Sequence, residues 1–124
     1  MNEKRKHKRQ EVYNRVSVKG SVQACVRDIS ESGIKIGIMR TEKITLGKGI
    51  KLKIFASVIG SEDISIPCEI KWKQEENIFT NYGLEFSNLD SKKHAVVRKY
   101  IDYMNHLNRK FSVVKLEITD ETSA

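Results

Sequence analysis

Residues 50–72, IKLKIFASVIGSEDISIPCEIKW, contain the longest regular pattern in the chain. Apolar side chains occupy every even-numbered position over 50–58 and again over 64–72, and this period of two is typical of β-strands. Gly60 and the polar residues after it interrupt the pattern as a turn does. Pro67 has no backbone N–H for a sheet ladder, so the second strand is expected at a sheet edge or with a bulge. The stretch predicts two neighbouring antiparallel strands.

Four shorter segments on either side of this stretch show the same alternation. They are 16–18, 22–26, 34–38 and 82–86, and turn-forming residues separate them at short intervals. Six such strands predict a mainly β fold, either an antiparallel barrel or a sandwich. The aromatic residues of these strands are expected to pack in the core or at a barrel end rather than to form stacking platforms; they are Trp72, Tyr82 and Phe86.

The hydrophobic period changes after residue 90 to the three-and-four spacing of an α-helix. We expect a C-terminal helix over about 90–109, where Asp90 or Ser91 can cap the first turn by accepting a backbone N–H. The helix is expected to close one end of the domain. The segment 111–118 is apolar enough to dock or to add a strand, and its role, including any in dimerisation, stays open.

Positive charge is concentrated at the start of the chain. The 124 residues include 23 Lys and Arg against 16 Asp and Glu, a net charge of +7, and residues 1–10 hold five of these bases against one acid. No apolar residue lies between Asn2 and Glu11, so this arm is expected to be flexible when free. An anionic partner is indicated, although a solvated basic terminus has the same composition. We expect a flexible basic arm at 1–10, a β domain with its helix at 11–110, and a C-terminal extension and tail at 111–124.

Several classes of protein are disfavoured by what the sequence lacks. No run approaches the roughly 18 apolar residues of a membrane span, and no apolar segment follows the basic start as in a signal peptide, so a cytoplasmic protein without membrane insertion is expected. Cys25 and Cys68 lack CxxC or Cys/His spacing, and His7, His94 and His106 are scattered, so no metal site is assigned. With no nucleophile elbow and no glycine-rich phosphate loop, no catalytic residue is assigned and an enzyme is not expected.

Two short motifs carry candidate binding chemistry. Arg5 and Arg9 form RxxxR in the arm, and Asp28, Ser30 and Gly33 form DxSxxG, with 19 residues from Arg9 to Asp28. Arginine can bind phosphate, pair with hydrogen-bond acceptors, or stack on a flat ring. An ionised Asp28 only accepts hydrogen bonds, so it suits a ligand that presents N–H donors. Ser30 offers a hydroxyl, and Gly33 permits a positive φ and close approach of a ligand. Alternatively, Asp28 and Ser30 only satisfy the amides of their own turn.

The two motifs, their order and spacing, and the Gly83–Phe86 strand before the helix together resemble the PilZ domain family over roughly residues 4–108. The resemblance implies a six-stranded antiparallel β-barrel with a C-terminal α-helix. It also implies a receptor for cyclic di-GMP, a bacterial second messenger with two guanines and two phosphates. In that family the arginine arm and the second motif enclose the ligand against the outside of the barrel.

The resemblance assigns roles to individual residues. The implied ligand-binding residues are Arg5, Arg9, Asp28, Ser30 and Gly33. Lys4 directly precedes the arginine pair, at a position that in the family can affect whether one or two ligand molecules bind. Asp28 is the acidic variant of a position often held by Asn, and Ser32 stands where a second glycine is common. Cyclic di-GMP is thus the expected ligand, with no metal and no catalytic cofactor.

The expected mechanism is ordering of residues 1–10 over the nucleotide, which changes a surface that a downstream protein partner reads. One alternative is a barrel that binds single-stranded nucleic acid. Inward-facing aromatic residues and the lack of a continuous stripe of bases outside the arm argue against it. Another alternative is an adaptor that has lost the ligand and holds a protein partner, against which the intact motif residues count. The identity of the partner, the oligomeric state and the ligand stoichiometry stay open.

Overall fold

The computed structural model describes residues 15–20, 22–42, 46–47, 49–106 and 114–120. The described residues form seven strands, a short 3-10 turn and one α-helix. In chain order these are β1 (Arg15–Val18), β2 (Val22–Ile29), β3 (Gly33–Met39), β4 (Gly49–Phe55), the 3-10 turn (Ser57–Ile59), β5 (Ile64–Glu75), β6 (Phe79–Phe86), α1 (Ser91–Asn105) and β7 (Lys115–Asp120). The arm at 1–10, predicted to be flexible, lies outside the described residues.

The strands close into a barrel in the order β1-β2-β3-β6-β5-β4-β7. Neighbouring strands are antiparallel except β7 and β1, which run parallel. The predicted mainly β barrel with a C-terminal helix is confirmed, but the predicted number of six strands is wrong. The additional strand comes from the segment for which the sequence leaves docking or strand addition open. Leu116 and Ile118 are the buried residues of this strand. The apolar run 111–118 includes the adjacent pair Val113 and Val114, so its period does not by itself distinguish a strand from a docking segment.

Inward side chains of the strands and one face of α1 form a single core. Nine-tenths or more of the surface is buried for residues including Val16, Ile36, Leu52, Ile54, Ile66, Tyr82, Phe86, Val97, Tyr100 and Leu116. The predicted cap of α1 is confirmed, since the Asp90 side chain accepts the N–H of Lys93 at 2.9 Å. The helix ends at Asn105, four residues before its predicted end.

A β-bulge in β2 turns Asp28 to the outside of the barrel. Val26 pairs with Ile36, but the next pair joins Asp28 to Lys35, which leaves Arg27 as an extra residue. Val26 and Ile36 are buried, so regular alternation would point Asp28 inward as well. The bulge places Asp28 beside the outward Lys35 instead.

A second bulge, in β5, turns Trp72 outward. Ile70 pairs with Leu84 and Trp72 with Gly83, which leaves Lys71 as the extra residue. The alternation over 64–72 therefore breaks just before its last member. Trp72 is 43% exposed, so the prediction that it packs in the core is wrong. Its indole lies on the outer surface of the barrel.

Two further details concern the predicted strands. Val58 is 59% exposed rather than inward because the 3-10 turn Ser57–Ile59 ends the alternation after Ala56. Of the two alternatives predicted for the strand with Pro67, the bulge is observed, at Lys71, and the strand is paired on both sides rather than at an edge. The Pro67 carbonyl accepts the N–H of Ser87 at 2.8 Å, just beyond β6. The side of Pro67 that lacks a donor thus faces the end of the β5–β6 ladder.

Candidate ligand-binding groove

The two bulges bring Asp28 and Trp72 into one row of outward residues. Asp28 on β2 pairs with Lys35 on β3, Lys35 pairs with Gly83 on β6, and Gly83 pairs with Trp72 on β5. Neighbouring strands lie about 4.8 Å apart, so the row spans roughly 14 Å of the barrel wall. A carboxylate, an ammonium group, a bare backbone position and an aromatic ring therefore follow one another in a line.

A groove of about 290 Å³ lies along this row. It is lined by Asp28 and Trp72 from the row, by Ser30 and Gly33 from the turn after β2, and by Lys71 beside the indole. Its volume is at the lower end of the range for small-molecule sites, which begins at about 300 Å³. The structure thus brings the predicted residues Asp28, Ser30 and Gly33 together with Trp72, which the sequence had assigned to the core.

Two glycines give the groove its shape because another group approaches each of them closely. A Cβ on Gly83 would overlap the indole of Trp72, which lies directly against the bare backbone. A Cβ on Gly33 would overlap the carbonyl oxygen of Leu84. Gly33 does not have a positive φ, so the predicted conformational reason for this glycine is wrong. The close approach of β6 requires it instead.

Local hydrogen bonds fix the direction of the motif side chains. The Asp28 Oδ1 atom accepts the N–H of Ile29 at 2.9 Å. The Ser30 Oγ atom accepts the N–H of Ser32 at 3.3 Å, and the Ser30 N–H donates to the Gly33 carbonyl at 2.9 Å. The alternative role, in which these side chains satisfy their own turn, is therefore part of the structure. It is compatible with a ligand role, because a carboxylate and a hydroxyl each take part in more than one hydrogen bond.

Two lysines contribute positive charge to the groove. The Nζ atom of Lys71 lies 3.3 Å from Glu85 and 3.7 Å from Glu69. Its hydrogen bond to Glu85 and the charges of both acids raise the pKa of Lys71, so it stays protonated at neutral pH. Lys35 forms no ion pair with any described residue, and its Nζ atom lies 5.8 Å from the centroid of the Trp72 ring. Lys35 is therefore the cation best placed for an anionic ligand.

Most of the chain, residues 3–103, matches the model of the PilZ domain family. The chain belongs to the PilZ domain family. PilZ domains form a family of cyclic di-GMP receptors. No curated protein and no solved structure matches the chain.

The PilZ match contains both sequence motifs and ends before the last strand. β7 lies beyond the match, although it pairs with β1 and β4 and closes the barrel. Lys4, Arg5 and Arg9 lie within the match but outside the described residues. The structure therefore describes one half of the expected PilZ site, the half on the barrel wall.

The turn of the second PilZ motif is tied to the helix as well as to the sheet. The two carboxylate oxygens of Glu31 lie 3.1 Å from His94 Nε2 and 3.2 Å from Arg98 Nη1, both on α1. On the sheet side, the Ser32 carbonyl accepts the N–H of Phe86 at 2.9 Å. Because Glu31 lies between the motif residues, a displacement of the turn would also move its contacts with α1.

Sequence reasoning does not assign Trp72, Lys35 or Lys71 to the groove. The alternation of its strand predicts that Trp72 points inward, but one extra residue in the strand turns its side chain outward. Lys35 has the pattern of an ordinary outward lysine between two isoleucines. The sequence contains one signal of a close approach in this region, the isolated Gly83 inside an otherwise regular strand. An isolated strand glycine often marks a bulge or a close approach of another group, and here the indole of Trp72 makes that approach.

Two further observations concern membrane insertion and metal binding. Among the described residues, no helix has the length and apolar character that crossing a membrane requires. Within the same ranges, no group of three or more His, Cys, Asp or Glu side chains is arranged to hold a metal ion.

Proposed function

We propose that this PilZ domain binds cyclic di-GMP in the groove over β2, β3, β6 and β5, and that residues 1–10 become ordered over the bound nucleotide. The observation that carries the proposal is the row Asp28, Lys35, Gly83 and Trp72, which two separate bulges create on one face. Bulges are often found where they re-aim a side chain at a functional site. Both of these bulges re-aim a side chain into the groove that also contains the DxSxxG turn.

Asp28 supplies the selectivity for guanine. Its carboxylate accepts hydrogen bonds, and the Watson–Crick edge of guanine offers an N–H and an amino group as the matching donors. Adenine does not present this pair of donors, so cyclic di-AMP binds poorly at the same position. The hydroxyl of Ser30 contacts the base or a phosphate from the neighbouring turn.

The other end of the row supplies stacking and charge. The exposed indole of Trp72 rests on Gly83, so its outward surface can receive the face of a guanine. Stacking of a base on an aromatic side chain contributes about 1–3 kcal/mol. Lys35, between Asp28 and Trp72, binds a phosphate.

The arm completes the site with Arg5 and Arg9. Arg9 is six residues before Arg15 and Arg5 is ten before it. An extended chain covers at most about 3.6 Å per residue, so these arginines reach roughly 22 Å and 36 Å from Arg15. Arg15 pairs with Cys25, only three residues before Asp28. Fixing the arm costs about 1–2 kcal/mol per residue, which charge-assisted contacts to the nucleotide offset.

The output of the receptor is a changed surface that another protein reads. We assign no catalytic step, because the described groove residues offer binding groups rather than a nucleophile held by a base. We place the protein in the cytoplasm. Cys25 and Cys68 do not form a disulfide, and burial raises the pKa of Cys25, which disfavours its reactive thiolate.

Calorimetric titration with cyclic di-GMP tests the proposal. We expect saturable binding of cyclic di-GMP and none of cyclic di-AMP or GTP at the same concentrations. The double variant Arg5→Ala/Arg9→Ala should abolish the heat. The same titration gives the number of ligand molecules bound, which bears on the role of Lys4.

The controls separate loss of ligand contacts from loss of folding. Arg9→Ala should keep the thermal midpoint of the free protein. Ile54→Ala, a fully buried position, should lower it, in line with a cost of about 2–5 kcal/mol for such truncations. Unfolding by Arg9→Ala, or normal affinity in the double variant, contradicts the assignment of the arm to the ligand.

One observation favours a second candidate, single-stranded nucleic acid. The exposed Trp72 provides a stacking surface that the sequence did not predict. A short oligonucleotide in the same calorimetric series distinguishes the two ligands. Nucleic-acid binding would tolerate changes of base and weaken steeply with salt, whereas the cyclic di-GMP site requires guanine.

A further inference from the structure

The barrel gathers lysines and an arginine that are scattered in the sequence onto one face. This basic face consists of Arg15 on β1, Lys115 on β7, and Lys51, Lys53 and Phe55 on β4. All five residues alternate with buried neighbours and therefore point outward. Strand pairing joins these bases on one surface although they lie far apart in the chain, and Phe55 and Glu117 lie among them, so they do not form a continuous stripe.

The basic face does not overlap the groove. The groove occupies four successive strands of the barrel, β2, β3, β6 and β5, and the basic face occupies the other three, β4, β7 and β1. A partner on the basic face therefore leaves the groove open to its ligand.

The charge of this face is only partly offset by Glu117, which is paired across from Lys53. Arg15, Lys51, Lys53 and Lys115 form no ion pair with any described residue, whereas Arg27, Arg40 and Arg98 on other surfaces each lie within 3.7 Å of a glutamate oxygen. Unpaired cations that cluster on one surface raise the local potential and attract anionic partners.

Phe55 gives the face an apolar centre. The Nζ atoms of Lys53 and Lys115 lie 4.7 Å and 5.0 Å from the centroid of its ring. Lys115 is paired directly across from Phe55, and Lys53 is paired across from Glu117. An aromatic ring surrounded by cations resembles a protein-binding surface, in which an apolar anchor lies inside a charged rim.

We propose that the basic face binds an acidic segment of another protein, with aspartate or glutamate side chains on Arg15, Lys51, Lys53 and Lys115 and an apolar side chain on Phe55. Phe55 favours a protein over a nucleic acid, because a protein segment can bring an apolar side chain as well as carboxylates to this face. The face offers a single aromatic residue rather than the series of stacking platforms that single-stranded nucleic acid uses.

Binding of a synthetic peptide tests this proposal. The probe is a fluorescent acidic peptide of aspartate and glutamate around one leucine, titrated with the full chain by fluorescence anisotropy. The double variant Lys51→Glu/Lys53→Glu should weaken binding by about tenfold or more, since it places like charges opposite each other. The matched control Lys92→Glu/Lys93→Glu changes the net charge equally on α1, outside the basic face, and should bind the peptide like the unmodified protein.

Further measurements decide between this proposal and other outcomes. Amide chemical shifts should move at 51–55 and 115–117 when the peptide is added. Equal weakening in the two double variants, or tighter binding of a single-stranded oligonucleotide or of anionic vesicles through the same lysines, would overturn the proposal. Both double variants should bind cyclic di-GMP normally, so failure of the peptide to bind is distinguishable from failure of the receptor function.

Discussion

Trp72 is the residue through which the barrel wall contributes most to the proposed site. Replacement by alanine should weaken cyclic di-GMP binding by about 1–3 kcal/mol, the usual contribution of one base stacked on an aromatic ring. The thermal midpoint should change little, because 43% of the side chain is exposed. Calorimetry and thermal unfolding of Trp72→Ala give both numbers. Trp72→Phe should retain part of the affinity, and equal affinity for Trp72→Ala and the unmodified protein would exclude stacking.

A substitution at Gly83 tests the same stacking, because the indole of Trp72 packs on this glycine. Gly83→Ala adds a Cβ where the indole of Trp72 now lies, so the ring must move off the strand. We expect altered emission from Trp72, which is the only tryptophan in the chain, together with weaker cyclic di-GMP binding. Gly47→Ala is the matched control, since the nearest atom to its new Cβ would be an Asp120 oxygen at 3.7 Å, an ordinary contact. Unchanged emission in Gly83→Ala would contradict the packing described here.

At the scale of elements, Glu31 connects the motif turn to α1. Glu31→Gln removes the charge that pairs with Arg98, so the turn should be held less firmly. The stability change should be under about 1 kcal/mol because the pair is exposed. Cyclic di-GMP affinity should fall by a few-fold, and ligand-induced protection of α1 amides from hydrogen exchange should decrease.

A matched control exists on the same helix. Lys92 of α1 pairs with Glu62 at 2.9 Å, outside the motif turn. Glu62→Gln should therefore leave ligand affinity and the exchange response of α1 unchanged. Identical behaviour of the two glutamine variants would show that Glu31 has no special connection to the ligand site.

The sequence predicts individual elements better than it predicts the direction of their side chains. Alternation locates six strands, and the spacing after residue 90 locates the helix with its Asp90 cap. It fails at Trp72 because one extra residue in β5 reverses every side chain that follows. It also does not predict that Asp28 shares a row with Lys35 and Trp72, since that neighbourhood depends on pairing across four strands.

At the scale of the whole molecule, the barrel depends on β7 for closure. β7 pairs with β1 on one side and β4 on the other. Deletion of residues 114–124 removes this strand and its buried Leu116 and Ile118, and it exposes two strand edges. We expect loss of cooperative unfolding and a tendency to aggregate, measured by thermal melts and light scattering. Deletion of 121–124 alone should keep a cooperative transition, and a cooperative melt without β7 would show that closure is dispensable.

The closed barrel also separates two surfaces. Four strands present the groove, and the other three present the basic face. The sequence predicts that Asp28, Ser30 and Gly33 lie together because they are close in the chain, and all three line the groove. The basic face was not, because it depends on the pairing of β7 with both β1 and β4.

Cyclic di-GMP is proposed to bind on the row that ends at Trp72. Because the chain has a single tryptophan, titration of its fluorescence with cyclic di-GMP reports directly on this position. We predict a saturable change whose midpoint agrees with calorimetry, and no change with cyclic di-AMP. Emission that stays constant while calorimetry shows the protein saturated with cyclic di-GMP would contradict the account and place the ligand elsewhere.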